Sequence, residues 1–139
     1  MTTHAHGTFA VQLTPQALAH AEADASLGRL SIDKQFQGDL VGSSQGEMLS
    51  ARTGVESSAG YVAIERVTGA LHGRQGSFVL QHSGTVDRGA QQLVISVVPD
   101  SGTGDLVGLV GTMTLDIADG VHAYDLVYTL PDLAQRDQE

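Results

Sequence analysis

The stretch Gly60–Val86, GYVAIERVTGALHGRQGSFVLQHSGTV, constrains this chain more than any other. Apolar and polar residues alternate on both sides of a glycine-bearing centre, the pattern of two half-buried strands joined by a tight turn. With a period of two, Tyr61, Ala63, Glu65 and Val67 share one face of the first strand, and Leu80, His82 and Gly84 share one face of the second. Glu65 and His82 are therefore polar groups on faces that are otherwise apolar. Gly73-Arg74 suits a two-residue type II′ turn, with glycine at the first central position. That turn predicts Glu65 opposite His82, Val67 opposite Leu80, Ala63 opposite Gly84 and Tyr61 opposite Val86.

The same alternation recurs along the chain, with 17 glycines punctuating it. Strands are predicted over 7–13, 27–36, 41–51, 91–99, 108–118 and 121–130 in addition to the hairpin. About eight strands joined mostly by short turns specify an all-β fold. The expected form is a single antiparallel up-and-down barrel with little helix, since closure removes the exposed edges of an open sheet. Thr14–Ala25, TPQALAHAEADA, departs from the pattern. Its Thr cap, Pro and alanines predict a short helix or an ordered loop after a strand closed by Pro15. The chain reads as one domain over 1–139, with 131–139 a flexible tail.

Turn positions also predict which side chains meet. A loop centred on Glu56 places Leu49 opposite Ala63 and Glu47 opposite Glu65, giving a row of Glu47, Glu65 and His82 over three strands. Two carboxylates so close cannot both ionise cheaply, so one is expected to titrate high, a setting for proton transfer. The alternative is a polar row that satisfies its own hydrogen bonds within the core. Tyr61, Leu80, Tyr124 and Tyr128 are the candidate ligand-lining residues. Asp119-Gly120 suits a type I′ turn and sets Leu115 opposite Tyr124, Met113 opposite Leu126 and Gly111 opposite Tyr128.

Composition excludes several classes. A net charge of -9 with seven scattered Lys and Arg does not suit nucleic acid. With no cysteine, disulfides and thiolate chemistry are absent. There is no apolar run of membrane-spanning length and no leader-like start, so a cytoplasmic protein without membrane contact is expected. His4 and His6 form an HxH pattern that can begin a metal site. With no carboxylate close by in sequence they read as a frayed terminus, and no metal or cofactor is expected. Asp100-Ser101-Gly102 lacks the surroundings of an aspartic protease. Gly102-Thr103-Gly104 lacks the third glycine and the βαβ context of a dinucleotide site. Both read as turn chemistry.

The hairpin, the segment VVPDSGTGDLVGLVGTM, and the flanking GDLVGSSQGEML and HAYDLVYTLP together resemble the bacterial DUF3224 family over nearly the whole chain. The resemblance implies an allene oxide cyclase-like β-barrel, a fold named for plant enzymes that cyclise a fatty-acid epoxide in an apolar cavity. It also points to oligomeric barrels, hence a homodimer or homotrimer, and it carries no established activity. The expected function is a small apolar-ligand-binding or oligomeric module. The alternative is a cofactor-independent isomerase or cyclase in which Glu65 and His82 form the acid–base pair, with Glu47 raising the pKa of Glu65.

Overall fold

Period-two patterning produces eight strands in the computed structural model, which describes residues 2–20 and 26–131. They are β1 (Thr3–Gln16), β2 (Leu27–Gly38), β3 (Leu40–Arg52), β4 (Ala59–Leu71), β5 (Arg74–Asp87), β6 (Ala90–Val97), β7 (Val110–Ala118) and β8 (Val121–Thr129). Each strand is antiparallel to the next, and β8 pairs back onto β1 to close the barrel. The only helical turn among the described residues is a 3-10 turn at Gly104–Leu106. The expected all-β up-and-down barrel is therefore the fold.

Three connections are two-residue turns with both residues at positive φ: His72-Gly73 (47° and 80°), Arg88-Gly89 (47° and 90°) and Asp119-Gly120 (53° and 78°). Such type I′ turns match the right-handed twist of the strands they join. The Asp119-Gly120 register is as predicted, with Leu115 opposite Tyr124 and Gly111 opposite Tyr128. The central hairpin differs. Its turn is His72-Gly73, not Gly73-Arg74, and the ladder closes on Leu71 and Arg74. His72 is held left-handed because its backbone N–H donates to the Asp39 carbonyl at 2.8 Å and its Nδ1 meets the Tyr128 hydroxyl. The change moves each partner by two positions and preserves the faces. Glu65 lies opposite Leu80, His82 opposite Ala63 and Tyr61 opposite Gly84.

The β3–β4 register departs by one residue, which inverts faces. The ladder ends at Arg52 opposite Ala59, so Glu47 pairs with Ile64 and Leu49 with Val62, all on the outer surface. Nor does a helix start at Thr14. β1 runs on through Pro15, which lies opposite Leu30. The β1–β8 ladder stops at Phe9, so Pro15 occupies an edge where its missing N–H costs no ladder bond. The rest of that prediction falls partly on 21–25, and the predicted tail on 132–139, outside the described residues. At the other end, β1 starts at Thr3, so His4 and His6 sit within the sheet and not in a frayed terminus.

The barrel has one stoppered end. There the β6–β7 connection folds inward and buries Leu106 and Leu109 against Leu40, Leu71 and Phe78. It is tied to β5 by Thr103 N–H donating to the Ser77 carbonyl at 2.8 Å and by Val79 N–H donating to Ser101 Oγ at 3.0 Å. The Asp100–Gly104 stretch is thus the start of a stopper. The opposite end is open. β6 and β7 pair only at Ile95–Met113 and Ser96–Thr112, and no ladder joins Ala90–Val94 to Thr114–Ala118 at the mouth.

Candidate functional site

β2 buries Ile32, Lys34 and Phe36 in succession, so Lys34 occupies an interior position by parity alone. β3 then places Ser44 opposite Lys34, and β4 places Glu65 opposite Gly46. A Cβ at Gly46 would stand 2.6 Å from Glu65 Cα, so only glycine lets β3 approach this closely beneath the Glu65 side chain. β5 adds His82 on the diagonal from Glu65.

These four side chains form one connected network. Lys34 Nζ donates to Glu65 Oε2 at 2.8 Å, and Ser44 Oγ donates to Glu65 Oε1 at 2.7 Å. His82 Nε2 meets Glu65 Oε2 at 2.6 Å. Glu65 is 0% exposed, and Lys34, Ser44 and His82 are buried around it. The Lys34 ammonium also sits 4.7 Å from the centroid of the Phe9 ring, a cation–π contact within an apolar wall. Burial by itself pushes the Glu65 carboxyl upward. The hydrogen bond from His82, the charge of Lys34, and the hydrogen bonds from Lys34 and Ser44 outweigh it and hold the pKa at about 2. Glu65 is therefore ionised at neutral pH, with hydrogen-bond donors on both carboxylate oxygens.

Two sequence expectations change here. Glu47 is not part of the row. It lies outside, in an ion pair with Arg29 of β2, because of the one-residue register difference. The expected rise in the Glu65 pKa is reversed, since the neighbours supplied by the correct register are a cation and two hydrogen-bond donors. Glu65 and His82 do meet, as diagonal rather than facing residues. Lys34 and Ser44 were missed. Lys34 was legible from its place between Ile32 and Phe36, whereas Ser44 required the β3–β4 register.

Above the network, toward the mouth, lies a cavity of about 160 Å³. Its wall is apolar, including Ile32, Met48, Ala63 and Leu115, and its polar lining comes from Lys34, Tyr61, His82 and His122. Burial first, and then the Glu65 charge, raises the Tyr61 pKa, so its hydroxyl remains a donor. A second cavity of about 480 Å³ opens at the rim and shares Met48 and Tyr61 with the first. Of the predicted ligand-lining residues, only Tyr61 borders this space. Leu80 is sealed in the core. Tyr124 and Tyr128 lie toward the stoppered end, where Tyr124 Oη donates to the Gln37 carbonyl at 2.9 Å and Tyr128 bonds His72. The alternating pattern put all four on inner faces but could not say at which height of the barrel each one falls.

Comparison with known proteins bears on the whole barrel. A family model described as a protein of unknown function, DUF3224, matches residues 5–128. A crystal structure of a protein with unknown function from the DUF3224 family of Shewanella oneidensis MR-1 is 50% identical, with a TM-score of 0.88 over 94% of this chain and 98% of that one. No curated protein gives a significant match. The family match takes in residues of every strand, including all those that build the network around Glu65, and the chain belongs to the DUF3224 family.

Proposed function

We propose that the barrel binds a small, largely apolar molecule carrying one oxygen acceptor, its apolar body in the mouth and its oxygen on Lys34. The observation that carries this reading is the lining of the inner cavity. Lys34 and His82 border it, while Glu65, which positions both, lies beneath. Lys34 has three N–H donors, and Glu65 takes one of them at 2.8 Å. His82 gives its Nε2–H to Glu65, so the neutral ring borders the cavity without a second donor. A volume of about 160 Å³ is close to the ~150 Å³ at which apolar protein cavities accept a benzene ring. The rim cavity provides room for a longer body.

An isomerase would need Glu65 to exchange a proton. A carboxyl held at about 2 favours the other role, an anion that orients a lysine and a histidine. Amide-resolved NMR titration with acetophenone and with ethylbenzene tests the binding reading, because the two probes share a body and differ in the carbonyl. Acetophenone is expected to bind at least tenfold more tightly, with shifts at Tyr61, Ala63 and His82, and Lys34→Met is expected to abolish the difference. Equal affinities in the wild type, or shifts confined to the outer surface, would overturn the reading.

We also propose that copies of the chain associate through the outer face of β3–β6. Leu49, Val62 and Val94, with Ser83 between the last two, form a row across these strands, and Ile64 stands beside it. The four apolar side chains are each half or more exposed, an unusual cost for a sheet face turned to water.

A further inference from the structure

The outer surface near the start of β1 holds a second group of chemistry-bearing side chains, remote from the barrel interior. His4 and His6 are two residues apart on a strand, so both imidazoles project from the outer face. β8 supplies the third member, since His6 lies directly opposite Asp125 in the β1–β8 ladder. The two rings stack, with centroids 5.8 Å apart and planes inclined by 15°. Both turn Nδ1 toward the same carboxylate. His4 Nδ1 is 3.1 Å from Asp125 Oδ1 and 3.2 Å from Oδ2, and His6 Nδ1 is 3.5 Å from Oδ1.

We infer that His4, His6 and Asp125 form a binding site for a divalent transition-metal ion of the Zn²⁺ type. One ligand atom from each residue lies within 4.8 Å of the other two. Ligands at ~2.0–2.2 Å from a tetrahedral zinc stand roughly 3.3–3.5 Å apart, so small side-chain rotations bring the three into coordinating positions. Two imidazoles and one carboxylate are a donor set that suits zinc better than magnesium or calcium, which prefer oxygen throughout. A fourth position is left to water.

The site also has an outer support. The His6 backbone N–H donates to Asp39 Oδ2 at 2.8 Å, which holds that point of β1 against the β2–β3 turn. For His4 to coordinate through Nδ1, that nitrogen gives up the N–H it directs at Asp125, and the neutral ring carries its proton on Nε2. The net charge of -9 draws cations to the surface in general, but only convergent nitrogen lone pairs select a transition metal.

Zinc titration of the full-length, tag-free protein in competition with a chromophoric chelator tests the site. One equivalent of Zn²⁺ is expected to bind with micromolar or tighter affinity. His6→Ala and Asp125→Asn should each weaken it at least tenfold, while His20→Gln, a change of an exposed histidine elsewhere, leaves it unchanged. All three are surface substitutions that leave the interior intact, and circular dichroism checks that each variant remains a β-barrel. Wild-type binding weaker than millimolar, or an affinity unaffected by both site variants, would overturn the inference.

Discussion

Glu65 concentrates at one residue the electrostatics of the barrel interior. Its carboxyl titrates at about 2, against an ordinary value of 4.5. As pH falls, the unfolded chain takes up this proton first, so the stabilisation is complete above about pH 5 and drains away between about pH 4.5 and pH 2. A shift of this size corresponds to about 3 kcal/mol. Urea unfolding measured from pH 7 to pH 2.5 should therefore show wild-type stability falling by about 3 kcal/mol more than that of Glu65→Gln. At pH 7 the variant should already be ~3 kcal/mol weaker, because Lys34 is left buried without its counter-charge. Parallel pH curves would show that the ionised carboxylate is not what the network stabilises. Half of this network was readable in advance. Glu65 and His82 stood out as polar residues on apolar faces, and a two-residue error in their register still kept them within reach. Lys34 belonged to the same kind of anomaly, an interior position by alternation, but its long stem and charge disguise it as a surface residue. Ser44 carries no such mark, since a serine is unexceptional on either face.

At the scale of the strands, each of the protein's three tyrosines lies opposite a glycine: Tyr61 over Gly84, Tyr124 over Gly7 and Tyr128 over Gly111. At Gly7 and Gly84 the tyrosine ring fills part of the space a Cβ would occupy, whereas at Gly111 a Cβ would meet the Tyr128 Cβ at 2.9 Å. At Gly84 the replacement has a direct functional bearing, because a Cβ there would stand 2.4 Å from the Tyr61 ring that borders the mouth. Gly84→Ala is expected to cost about 2 kcal/mol in chemical denaturation, in the range of other overpacked cores. It should also change the NMR shifts of residues around the inner cavity. A stability loss under 0.5 kcal/mol with an unchanged mouth would contradict this packing account. Only the Tyr128–Gly111 pair was foreseeable, because Asp119-Gly120 admits one turn type. The other two depend on the His72-Gly73 turn and on a ladder between the first and last strands, neither of which local pattern determines. Likewise the β3–β4 loop offered no residue that fixes its centre, and one position of slip carried Glu47 and Leu49 from the inside to the outside.

For the whole molecule, the all-β class and the barrel followed from alternation and turn spacing, since eight short-looped strands have few ways to hide their edges. The stopper was hidden from such reasoning, because DSGTGDL has the composition of an ordinary surface loop and buries only its last residue, Leu106, with Leu109 just beyond it. So was the partnership of His4 and His6 with Asp125, more than a hundred residues away in sequence. Association of copies is a property of this scale. Sedimentation at tens of micromolar should give twice or three times the 14.5 kDa chain mass, and Val62→Lys should return a single-chain species. A 14.5 kDa wild-type species at that concentration would exclude the proposed interface. The ladder that runs from Thr3–Tyr128 to Phe9–His122 has a consequence for biosynthesis. Because the first strand waits for the last, no barrel can close while the ribosome still holds Val121–Thr129, and β1 carries a bare edge until β8 has emerged. The time for which the nascent chain needs protection from sticking to its neighbours is thus set by how fast its final strand is released.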